Sequence, residues 1–134
     1  MHRTNVTAHA GVRFARLSFR LAGIVGLIET LPLYCAESTI GRMQPPPISH
    51  VEFFYGFASV VVAWQFAFLI VAGDPVRYRP LWPAIVLEKL LYPASTILLF
   101  TAGRVSAQVP WAASLDFVWL TLFVVSWYRL APLR

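Results

Sequence analysis

A chain of 134 residues has room for one compact domain, and 58% apolar residues with a mean hydropathy of +0.65 exclude an ordinary soluble fold, whose apolar share is near half. Ten arginines and one lysine against six acids leave a net charge of +5, but the bases sit beside apolar runs, which argues against nucleic acid and for membrane-flanking anchors. The single cysteine, Cys35, excludes an intrachain disulfide and the CxxC pair of a thiol–disulfide enzyme.

In chain order, residues 1–12 are polar and without apolar periodicity, and read as a cytoplasmic tail. Arg13, Arg16 and Arg20 then lead into LAGIVGLIETLPLYC, a first span over about 14–35. Its strictly apolar part is short, so it crosses only with Arg16 and Arg20 snorkelling toward headgroups. A signal peptide is disfavoured because Tyr34 is too large for the cleavage pattern. Residues Ala36–Ser49, with Gly41, Arg42 and Pro45-Pro46-Pro47, are expected as a stiff extended loop. A second span covers about 51–72, interrupted only by Glu52 and Gln65. The third, about 81–103, opens on Pro80 and Pro83, carries Glu88 and Lys89, and is expected to kink at Pro93. The fourth, about 110–129, carries Asp116 and ends in Trp127, Tyr128 and Arg129. Trp82, Trp111 and Trp127 fall at span ends, where an amphipathic ring prefers the interface.

Residues 13–134 are thus expected to form a single all-α domain, a four-helix transmembrane bundle running up-down-up-down. Eight arginines (Arg3, Arg13, Arg16, Arg20, Arg77, Arg79, Arg129, Arg134) fall on one side and two (Arg42, Arg104) on the other, which puts both termini in the cytoplasm. A three-span alternative, with the first segment on the surface, leaves the carboxy terminus outside, against the charges. The localisation expected is a bacterial inner membrane, with multiple passes.

Charged residues within spans are rare and mark pathways, sites or fasteners. Matched by depth, Glu29 and Asp116 lie about five residues, roughly 7 to 8 Å, from the outer end of their spans. Glu52, His50 and Arg104 sit at that rim. This outer group, with Tyr55 and Trp119 as aromatic wall, is the candidate site for a lipophilic or cationic small molecule. Glu88, Gln65 and Arg20 lie about fourteen residues deep, roughly 21 Å, as an inner polar group, while Lys89 points round toward the cytoplasmic headgroups. The inner group reads first as a helix fastener. Gly23 and Gly26 permit close helix approach. His2, His9 and His50 have no helical partner, so no haem or metal site is expected, and no cofactor. Besides the lipid bilayer and the small molecule, the partners considered are a second copy of the chain or a larger membrane complex, with no nucleic acid. Three functions follow: a ligand-binding membrane protein, an accessory or scaffold subunit, or a lipid-modifying enzyme using Glu29 and Asp116 as acid and base, with catalysis the less favoured.

An acid near a proline in span one (Glu29, Pro32), a proline-bearing first loop, the Trp64-Gln65-Phe66 patch and Pro83-Ala84-Ile85 opening span three resemble the DoxX-like family of bacterial membrane proteins. They also resemble the EXPERA group, which includes the sigma-2 receptor and emopamil-binding protein. The EXPERA resemblance implies a ligand cavity opening to the bilayer with acidic side chains at its floor. No histidine lies deep in a span, which departs from the isomerase pattern of that group.

Overall fold

The computed structural model describes residues 2–130, with side chains described from residue 9 onward, so the side chains of His2 and Arg3, and Arg134 altogether, lie outside the described residues. Regular structure among the described residues is helical: α1 His2–Thr30, α2 Leu33–Met43, α3 Val51–Gly73, α4 Trp82–Thr101 and α5 Gln108–Arg129, with a 3-10 turn at Arg79–Leu81 before α4. The segment read as a tail is helical from His2. It contains no proline, and a helix anchored further along extends backwards at little cost because only nucleation is expensive.

Two compact units divide the chain, Phe19–Gly73 and Met1–Ser18 with Asp74–Arg134. In the second of these, Pro80 stands early in the 3-10 turn and Pro83 in the first turn of α4, where a missing N–H loses nothing. The helix then runs on through Pro93 to Thr101. It ends in a Schellman motif. Gly103 takes φ +68°, its N–H donates to Phe100 O at 2.9 Å, and the Arg104 N–H donates to Leu99 O at 2.9 Å. α5 folds back along α4, and Trp82 meets Trp127 with ring centroids 5.6 Å apart. The interface role expected for Trp82 is therefore corrected: its ring is 1% exposed and packs within the protein. Trp111, 80% exposed, keeps the outward position expected of a span end.

The end of α5 is closed by a side chain from the turn before α4. Arg79 donates through Nη1 to Leu130 O at 3.0 Å and through Nη2 to Trp127 O at 3.5 Å, with its guanidinium 4.2 Å from the Trp127 ring centroid. Carbonyls at a helix C-terminus have no intrahelical donor and carry the negative end of the dipole, so a cation that also donates stabilises them twice. Arg79→Gln is expected to lower stability by about 1–2 kcal/mol. The check is the thermal midpoint in detergent, with the exposed Arg77→Gln as a control that stays near the parent.

In the Phe19–Gly73 unit, α1 packs on α3 through glycine. A Cβ at Gly23 would lie 2.9 Å from Gln65 O, and one at Gly26 would fall on the Gln65 side chain. Phe19 and Phe68 close the contact, with centroids 6.4 Å apart. The helix breaks after Thr30, because Pro32 has no N–H to continue the ladder and the Thr30 hydroxyl donates back to Gly26 O at 2.6 Å. The chain turns by 60° and becomes helical again as α2. The extended loop expected over Ala36–Ser49 is thus corrected: helix persists to Met43, and the irregular stretch before α3 is confined to residues 44–50. Proline restricts its own residue and the one before it, so Pro45-Pro46-Pro47 leaves the preceding turns free to be helical.

α3, with 23 residues, is about 35 Å long, enough for a hydrocarbon core near 30 Å. It and the segments Arg79–Thr101 and Gln108–Arg129 are long and apolar enough to cross a membrane. The bent pair α1–α2 makes a fourth if counted as one span. Outward residues are large and apolar, among them Phe53, Phe66, Ile70, Leu91 and Leu98.

Candidate functional site

The chemistry-bearing centre lies in the α4–α5 hairpin. The Lys89 ammonium donates to Asp116 Oδ1 at 2.9 Å and to Glu88 Oε1 at 3.4 Å. It also lies 3.4 Å from Glu88 Oε2, an oxygen that is buried without a hydrogen bond among the described residues. The three side chains are 6%, 21% and 16% exposed for Lys89, Asp116 and Glu88. Lys89 lies twelve residues from the end of α4 at Thr101, and Asp116 eight from the start of α5 at Gln108. That four-residue stagger is about 6 Å along a helix, a gap that the lysine stem bridges.

One expectation is corrected here. Lys89, expected to reach toward the headgroups, instead pairs with Asp116 on the next helix at 2.9 Å, and its side chain is 6% exposed. Glu88 meets Lys89, its neighbour in the same helix, at 3.4 Å. Asp116, read as part of an outer group, accepts from Lys89 at 2.9 Å. Trp119 stands three residues on from Asp116, on the same side of α5, and is half-buried.

Glu29 is exposed near the end of α1 in the Phe19–Gly73 unit, and Arg20, earlier in the same helix, is also exposed. Glu52 meets the predicted rim partner His50, Nδ1 to Oε1 at 3.2 Å, and the pair is exposed. Gln65 is 2% exposed and donates within its own helix to Val61 O at 3.1 Å, with Oε1 lacking a hydrogen bond among the described residues. Tyr55 donates its hydroxyl to Glu37 Oε2 at 2.8 Å, and Tyr34 and Ser59 share a hydrogen bond of 2.8 Å beside it. The Tyr34 and Tyr55 rings are 5.9 Å apart. Glu37 escaped the sequence reading because its segment was taken for a loop. Its spacing of three from Tyr34 is a helical signal that would have placed both on one face. Among the described residues no group of three or more histidine, cysteine or carboxylate side chains is placed to hold a metal ion.

These helices, with ionised groups drawn inward between two of them, define a helical protein of the multi-pass membrane class. No family model, curated protein or solved structure matches the chain.

Proposed function

We propose that this is a four-span protein of a bacterial inner membrane that binds a lipophilic cation at Glu88, Lys89 and Asp116. The fourth span is the bent α1–α2 pair, and the arginine asymmetry puts the turn before α4 and the end of α5 in the cytoplasm. The observation that carries the reading is the make-up of the site: two acidic side chains meet one basic one within 2.9 to 3.4 Å, so acids outnumber bases by one. In a poorly solvated setting an excess charge is costly, and a cation with an apolar body supplies both the missing charge and a surface that partitions into lipid. The resemblance to the EXPERA group implies a ligand cavity with acidic side chains at its floor.

Tetraphenylphosphonium is a suitable probe, titrated against the protein in nanodiscs. Asp116→Asn and Glu88→Gln are each expected to weaken binding at least tenfold, while Glu52→Gln at the exposed rim leaves it unchanged. Equal binding by all four proteins, or none by the parent, would remove the proposal.

A second reading has its own observation: the Asp116 bond to Lys89 joins α4 to α5 directly. On that reading the trio is a fastener in an accessory subunit. Asp116→Asn then lowers stability without a ligand phenotype.

A further inference from the structure

The unit Met1–Ser18 with Asp74–Arg134 gathers arginines at one end. Three contacts bring its parts together there. Arg129 O closes on α1 at Gly11, where a Cβ would lie 2.8 Å from it. The Arg129 guanidinium lies 4.3 Å from the centroid of Phe14. Arg79 of the preceding turn holds Leu130 O at 3.0 Å. The turn itself is fixed by Asp74, whose Oδ1 accepts the Arg77 N–H at 3.1 Å, leaving the Arg77 side chain outward. Arg13 and Arg16 flank Phe14 and are exposed, as are Arg77 and Arg129.

Four exposed guanidiniums therefore share this end, and Asp74 is the acid in the turn beside them. Arg79 is not among them, because its donors are committed to the α5 carbonyls. Tyr128, 71% exposed, and the half-buried Trp127 and Tyr78 add the amphipathic rings that settle at headgroup level. Guanidinium is planar, weakly hydrated and suited to bidentate contact with phosphate.

We propose that Arg13, Arg16, Arg77 and Arg129 form a binding site for the headgroup phosphates of an anionic phospholipid. The site is separate from the intramembrane trio and stands or falls without it. Its ligand is charged where it meets the arginines and apolar where it runs down α4 and α5, so a free phosphate meets only half of it. Each arginine near a membrane surface contributes about a fivefold preference for anionic lipid.

Delipidated protein in detergent, offered phosphatidylglycerol, cardiolipin or phosphatidylcholine and read by native mass spectrometry, tests this. The parent is expected to retain the anionic lipids at least tenfold over phosphatidylcholine, and to lose that preference as salt rises from 0.05 to 0.5 M. Arg77→Gln/Arg129→Gln should cut the preference at least tenfold, and Arg42→Gln/Arg104→Gln should leave it intact. Arg79→Gln should lower the thermal midpoint with the preference retained. Equal retention of all three lipids by the parent, an equal loss in the Arg42/Arg104 variant, or displacement of the lipid by millimolar inorganic phosphate would each overturn the proposal. The salt series on the parent stands even where a variant folds poorly.

Discussion

Lys89→Met is expected to destabilise the protein by about 2–4 kcal/mol, the largest loss of any single change in the α4–α5 hairpin. Lysine and methionine have similar length and an unbranched stem, so the change removes charge more than volume. What it leaves behind is Asp116 and Glu88, two carboxylates that are 21% and 16% exposed, with their shared counter-ion gone. Breaking one side of a buried pair costs more than the pair contributes, since the remaining charge must stay in a medium that solvates it poorly. The partial exposure of Asp116 places the expectation below that of a fully buried pair. Adding Asp116→Asn should recover more than half of the loss, because an amide carries no charge to strand. Asp116→Asn alone should be milder than Lys89→Met, as the ammonium keeps Glu88 3.4 Å away. Thermal or denaturant unfolding in a mild detergent gives the comparison, and a Lys89→Met protein as stable as the parent would show that the trio does not hold charge away from water.

The second large effect is predicted at Gly23, on the α1 face that meets α3. A Cβ there would stand 2.8 Å from Cγ and Cδ2 of Leu69 and 2.9 Å from Gln65 O. The leucine can turn aside, but the carbonyl belongs to the α3 backbone, so relief requires the helices to part. Gly23→Ala is expected to cost about 1–3 kcal/mol and Gly23→Ile more. Gly26→Ala should cost less than Gly23→Ala, because its obstacle is the movable end of the Gln65 side chain. Gly56 supplies the opposite sign. Nothing lies within 4 Å of its Cβ position, so Gly56→Ala should stabilise α3 by up to about 1 kcal/mol through helix propensity alone. The four variants ranked by unfolding midpoint test the packing of α1 on α3, and equal midpoints for Gly23→Ala and Gly56→Ala would refute it.

Much of the helical layout was legible in residue order. The runs expected at about 51–72, 81–103 and 110–129 correspond to α3, α4 with its cap, and α5. Prolines 80 and 83 marked a helix start, and Gly23 and Gly26 marked a close approach, because each of those signals depends on one residue and its own backbone. The His50–Glu52 pair was also within reach, being two residues apart. α2 was missed because three consecutive prolines dominated the reading of Ala36–Ser49, whose part within α2, Ala36–Met43, contains none.

The candidate site was harder. Glu88, Gln65 and Asp116 were recognised as polar groups within apolar helices, but their partners were assigned by counting depth from predicted span ends. An error of two residues in one end shifts a depth by about 3 Å, and a side chain as long as lysine erases another 6 Å. Depth also says nothing about azimuth. Gln65 bonds Val61 O in its own helix, and Tyr55 bonds Glu37 on a helix that the reading had dissolved into a loop.

The amino-acid order by itself determined that this chain is helical, how long its apolar runs are and where basic residues flank them, since hydrophobic length, proline and charge act over a few neighbouring residues. Only the tertiary structure decided that Lys89 turns to Asp116, that Arg79 closes the end of α5, and that the first helix bends by 60° before α2. Those outcomes depend on the stagger and rotation of one helix against another, which packing sets and no single segment contains.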